Sequence, residues 1–175
     1  MTDLSPILAK ADEALPQSLE RLFDLVRIPS ISTDPAYKAD CRKAGEWLVS
    51  ALSELGFEAS LRDTPGHPMV VAHHQADNAD APHALFYGHY DVQPVDPVSL
   101  WHSDPFEMQL SKQADGETHL VGRGTSDDKG QLLTFIEACR AWRAVTGSQP
   151  LPVTIFLEGE EESGGKNHAP VMPAN

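Results

Sequence analysis

His89 and Asp91 stand one residue apart in LFYGHYDVQP (residues 85–94), at the end of a run that reads as a buried strand. In extended backbone, residues two apart point to the same side. A carboxylate so placed can share the pocket of the imidazole and orient it, as an acid does behind a metal-bound histidine. Taken alone, His-x-Asp is also simply the polar end of a strand. Two later stretches add to it. GRGTSDDKG (122–130) brings Asp127 and Asp128 in a glycine-rich turn, and LEGEEESGG (157–165) brings Glu160, Glu161 and Glu162 directly after the apolar run 153–157. In open α/β sheets ligands gather outside the carboxyl ends of the strands, where the histidine and the glutamates both fall.

Four chemistries fit parts of this set. A phosphate-binding loop fails on order and charge, because its Lys must follow the second Gly and no carboxylate pair may face the phosphates. A nucleophilic Ser126 or Ser163 lacks an assigned base and a strand-turn-helix elbow. A paired-carboxylate glycosidase could use Asp127 with Glu161, but it leaves His89 idle. Metal chemistry uses all three clusters, since imidazole with carboxylates suits zinc and a shared carboxylate permits two ions.

GHYDVQP, the W-x-x-DPF element at 101–106, GRGTSDDKG and EGEEESG, in this order, resemble the zinc metallopeptidase family that includes carnosinase-type dipeptidases, carboxypeptidase G, aminoacylase and succinyl-diaminopimelate desuccinylase. The resemblance implies two zinc ions in the complete site. His89 would bind one, Glu162 the other, and Asp127 would bridge them through a carboxylate followed by a cis peptide. Asp91 would orient His89, and Glu161 would be the general base toward the bridging water. The implied reaction is amide hydrolysis of dipeptides or small peptides, with N-acyl amino acids as the alternative substrate and a non-catalytic metal- or partner-binding protein as the alternative function. The implied fold is α/β, three layers αβα around a mixed, largely parallel sheet.

Members of this family also have a further acidic ligand, a lid or dimerisation domain and a distant C-terminal His. Here no Asp or Glu follows Glu162, and the only later histidine, His168, is too close in sequence for the remote ligand. Residues 1–175 therefore read as the N-terminal part of a catalytic domain that is homodimeric when complete. The sheet is expected to be incomplete, with the strand at 153–157 open along one side. Two ligands per ion predict poor zinc binding and no activity for these residues alone.

The elements that must position these groups are legible as patterns. Leu19, Leu22, Phe23 and Val26 mark a helix ended by Pro29, and Cys41, Ala44, Leu48, Leu52 and Leu55 a second over 38–55. The intervening loop, IPSISTDPAY, is rich in turn formers. Strands are expected at 57–62 and 69–73, a polar loop at 77–82, and a hairpin over 107–121 turning at Asp115 and Gly116. A long helix with Leu132, Leu133, Ile136 and Cys139 inward is capped by Gly147. Asp128 and Lys129 are expected to cap this helix and face solvent, with Glu158 and Glu160 as charge background. His67, His73, His74, His83, His102, His119 and His168 are read as exposed or core residues.

One domain is the expectation for 175 residues. A formal charge of -13 without a basic cluster argues against nucleic acid. No apolar run approaches the ~20 residues of a membrane span, and the N-terminus lacks the pattern of a signal peptide. Cys41 and Cys139 fall at apolar helical positions, as buried free thiols of a reducing cytoplasm would.

Overall fold

The computed structural model describes residues 3–76 and 81–167. In chain order the elements are helices α1 (Ser5–Glu13), α2 (Leu15–Val26) and α3 (Lys38–Glu54), then strands β1 (Glu58–Arg62), β2 (Met69–His74) and β3 (Ala84–His89). The hairpin β4 (Gln109–Lys112) and β5 (Thr118–Val121), helix α4 (Lys129–Thr146) and strand β6 (Val153–Glu158) complete it. These boundaries fall within a few residues of the sequence patterns, and Gly147 ends α4 in the left-handed conformation expected of it, with φ 83°. The additional helix is α1. It carries one buried residue, Ile7, while Leu4 and Leu8 are exposed, so its apolar stripe is too thin to read. Residues 77–80 of the loop expected at 77–82, and His168, lie outside the described residues.

The main sheet has the order β1-β2-β6-β3. β2 is antiparallel to both β1 and β6, and β3 is parallel to β6. Three of the four strands therefore share one direction, but only the β3–β6 pairing is parallel; the sheet is mixed, as expected. The strand at 153–157 is not open on one side, as the sequence suggested: β6 lies between β2 and β3, and β3 is the edge. The burial patterns explain this order. Ile155, Phe156 and Leu157 are consecutive apolar residues that need cover on both faces, and all three are buried. β3 alternates, so it tolerates an edge position with Leu85 67% and Tyr87 50% exposed.

Cross-strand register places Leu61, Val70, Ala72, Ile155, Leu157 and Phe86 on one face. That face meets Leu25 of α2, Leu48 and Leu52 of α3, and Leu132 and Ile136 of α4 in one core. Phe86 stacks on Phe135 of α4 with ring centroids 4.0 Å apart. The opposite face carries a small cluster of Met69, Val71 and Phe156, to which no described helix contributes a residue. Of the three layers expected, the described residues form two, because α3 and α4 pack on the same face. Among the described residues no helix is long and apolar enough to cross a membrane.

Cys41 and Cys139 are both free and buried, as their helical positions implied. Burial pushes each thiol up to about 12. At pH 8 only about one in ten thousand would be thiolate, the reactive form. Both thiols should therefore resist iodoacetamide in the native chain and react together on unfolding in urea. Mass spectrometry of the alkylated protein checks this, and fast native labelling of either would contradict the packing.

Candidate active site

The parallel pairing of β3 with β6 brings His89 opposite Glu158, and the Tyr90 amide continues the ladder by donating to the Glu158 carbonyl at 2.9 Å. The two chains then leave the sheet side by side. Asp91 follows from β3, and a short 3-10 turn, Glu161–Ser163, follows from β6. Asp127 arrives from the turn before α4. Its peptide bond to Asp128 is cis, as expected.

Asp91 is wholly buried and links these parts. Its Oδ1 accepts from the Glu161 amide at 3.2 Å, and its Oδ2 accepts from the Glu162 amide at 3.0 Å and the Ser32 hydroxyl at 2.5 Å. Nδ1 of His89 lies 3.3 Å from Asp91 Oδ1 and 3.1 Å from the Asp91 carbonyl oxygen. The other ring nitrogen, Nε2, is 2.9 Å from Asp127 Oδ1 and 4.0 Å from Glu161 Oε2. Glu162 accepts from the Gln93 amide at 2.6 Å. One donor atom each from His89, Asp127 and Glu162 falls within 4.8 Å of the others. All five residues singled out from the sequence are thus brought together, with His89 and Asp91 buried and Asp127 and Glu161 open to solvent.

Charges accumulate here. Burial works against the His89 imidazolium, but its hydrogen bonds to Asp91 and Asp127 and the charges of Asp91 and Asp128 prevail and raise it to about 9. Burial raises the Glu162 carboxyl, against the pull of the Gln93 amide and with added push from Asp127 and Glu161. Asp128 is raised by burial and by Asp127. Carboxylates crowded enough to favour protonation are a donor set suited to a cation.

Several neighbours do more than their sequence pattern suggested. Asp128 does not use its side chain to cap α4; its Oδ2 accepts from the His89 amide at 3.1 Å. Gly88 permits that approach, because a Cβ there would lie 2.8 Å from the same oxygen. Lys129 does not face solvent. It is fully buried, and its ammonium donates to the carbonyls of Leu25 at 3.0 Å and Ile28 at 2.6 Å, tying the end of α2 to the start of α4. Burial pushes it down to about 7. Glu160 is not background charge either. It is buried and accepts from the His67 amide at 2.8 Å and from Asn167 at 3.0 and 2.9 Å. Ser32 and Gln93 escaped the sequence reading: Gln93 lies inside the GHYDVQP motif, and nothing local marks Ser32. The remaining described histidines stay outside the cluster, His73 and His83 meeting instead at Thr154, at 3.0 and 2.7 Å.

Imidazole and carboxylates converge where neighbouring parallel strands end, on a helix-backed sheet, which defines an α/β protein with a candidate metal site. The chain belongs to peptidase family M20/M25/M40, whose model matches residues 85–173. It is 31% identical over 174 residues to the Cys-Gly metallodipeptidase DUG1 of Candida albicans, covering 92% of this chain and 35% of that protein. It is 30% identical over 150 residues to succinyl-diaminopimelate desuccinylase of Delftia acidovorans, covering 83% of this chain and 36% of the relative. The crystal structure of human carnosine dipeptidase 1 superposes with a TM-score of 0.86 at 26% identity, over 97% of this chain and 37% of that one. The chain thus spans about a third of the length of these relatives.

Replacing Asp91 by Asn keeps the shape but puts an amide NH2 where an acceptor is needed and removes the charge that four donors face. Hydrogen bonds to a buried charge contribute about 1.5–3 kcal/mol each. Asp91→Asn should lower stability by about 2 kcal/mol or more, read as a shifted urea midpoint at unchanged slope.

Proposed function

We infer that the complete protein hydrolyses the amide bond of dipeptides or other small peptides at a zinc site built on His89, Asp127 and Glu162. The observation that carries this reading is the convergence of those three donor atoms within 4.8 Å, with a third carboxylate, Glu161, beside them. The donor chemistry fits the ion: a neutral imidazole nitrogen and carboxylate oxygens are ordinary zinc ligands. When bound, zinc polarises a carbonyl and makes water a nucleophile near neutral pH. His89 would hold one ion through Nε2 and Glu162 the other, with Asp127 shared. Asp91 keeps the Nδ1 side of His89 occupied, which directs Nε2 into the site. Glu161, open to solvent and with Oε2 4.0 Å from His89 Nε2, takes the proton as water adds to the scissile carbon. It returns that proton to the leaving amine as the carbon–nitrogen bond breaks.

Dipeptides are favoured because DUG1 and carnosine dipeptidase 1 are named for them. The desuccinylase relative supports N-acyl amino acids as a second reading. Residues 1–175 would be the N-terminal part of the catalytic domain, with dimerisation inferred from the resemblance alone. The free thiols fit a reducing cytoplasm. Each ion has only two ligands among the described residues, fewer than the three a catalytic zinc ordinarily keeps. The chain alone is therefore expected to bind zinc weakly and turn over no dipeptide; tight binding of two ions with turnover would overturn that.

The roles of the adjacent glutamates separate by measurement in the complete protein. Glu161→Gln should keep its zinc, by elemental analysis, and lose at least ~10²-fold in kcat on a dipeptide. Glu162→Gln should lose zinc and rate together, because an amide is the poorer ligand. Reversed phenotypes would exchange the roles, and full activity of both variants would refute the reading.

A further inference from the structure

The loop between α2 and α3 reads as a string of turn formers, yet its first part runs alongside the site. Ile31 forms a parallel bridge with Val92, and the Val92 amide donates to the Ser30 carbonyl at 2.9 Å. Ser30 and Ser32, on either side of this bridge, both reach the chain that leaves β3. Their tasks differ. The buried Ser30 hydroxyl donates to the backbone carbonyl of Tyr90 at 2.6 Å. The Ser32 hydroxyl donates to the Asp91 carboxylate at 2.5 Å. Ser32 is itself only 7% exposed, and its carbonyl is held at 2.9 Å by Nε2 of the buried His67.

We propose that Ser32 is a positioning residue of the site: its hydroxyl fixes the rotation of the Asp91 carboxylate, and thereby the direction of the His89 ring and the seating of the Glu161–Ser163 turn. The terminal torsion of an aspartate is broad and does not lock itself. On Oδ1 the carboxylate meets the Glu161 amide and the His89 ring, and on Oδ2 the Glu162 amide and Ser32. Without the hydroxyl, Oδ2 keeps only the Glu162 amide among these donors and has room to turn. The two oxygens then no longer match the two successive amides of the turn. Because those amides carry the proposed base and the proposed ligand, Ser32 acts on the site through Asp91 without touching an ion or a substrate. The relevance to catalysis rests on the metal-site reading, whereas the hold on Asp91 does not.

The test is amide hydrogen exchange by NMR on the 15N-labelled chain, without metal, comparing wild type, Ser32→Ala, Ser32→Thr and Ser30→Ala. Ser32→Ala should speed exchange at the Glu161 and Glu162 amides by about tenfold or more relative to the β6 amides of the same sample, the loss of a hydrogen bond to a charged group. Ser32→Thr, which keeps the hydroxyl, should restore protection. Ser30→Ala loses an equally buried hydrogen bond and should show no selective effect at the turn. The β6 amides report whether each variant is folded. The proposal is overturned if Ser32→Ala changes all amides alike, if Ser30→Ala opens the turn as much, or if Thr fails to restore it. Zinc content of the complete protein and of its His89→Ala variant, by elemental analysis, separates the two readings: content unchanged by His89→Ala removes the metal site and leaves the exchange data to decide Ser32.

Discussion

A carboxylate with no access to water must be satisfied by donors, and Asp91 is satisfied by four from three separate parts of the chain. One comes from the loop after α2, one from the end of β3, and two from the turn after β6. Leaving such a group unsatisfied costs more than any one of its hydrogen bonds contributes, so the three segments are held to one arrangement. The parallel pairing of β3 with β6 sets their spacing, and the core formed by α2, α3 and α4 sets the sheet beneath them. The candidate site is what lies above this buried charge.

Lys129 plays the complementary part on the other side. It is a buried cation whose partners are carbonyl oxygens at the end of α2, where the helix dipole is negative. The same short stretch therefore presents Asp127 to solvent, gives Asp128 to the His89 backbone, and sends Lys129 inward. Each side chain has a different neighbour, so SDDKG joins the site, β3 and α2 at one point.

The motifs were legible because their chemistry is local: His89, Asp91, Asp127, Glu161 and Glu162 lie next to strand ends and turns that apolar runs and glycines mark. The stripes of α2, α3 and α4 and the hairpin at Asp115 and Gly116 were legible for the same reason. What the sequence hid depends on partners distant along the chain. Lys129 among acids looks solvated, and only the closing of α2 on α4 makes it a core residue. Glu160 beside Glu161 looks like one more surface charge until the backbone at His67 folds over it. Ser30 and Ser32 in a proline-containing loop resemble turn formers, and nothing local marks their alternation against the strand exit. The placement of β6 between β2 and β3, and the gathering of both long helices on one face, follow from packing that periodicity cannot order.

The turn after β6 is anchored on Asp91 through its amides. Asp91 grips backbone N–H groups at positions 161 and 162 and is indifferent to what those positions carry. Which side chain lands in which place is thus decided by counting residues from the end of the strand. One residue added at Gly159 would leave the backbone cradle intact but move Glu160 and Glu161 into it, and one removed would move in Glu162 and Ser163. The first slip keeps two carboxylates over the cradle but takes Glu160 from the His67 amide, and the second replaces the second carboxylate by a serine, so the spacing in this segment is constrained in both directions.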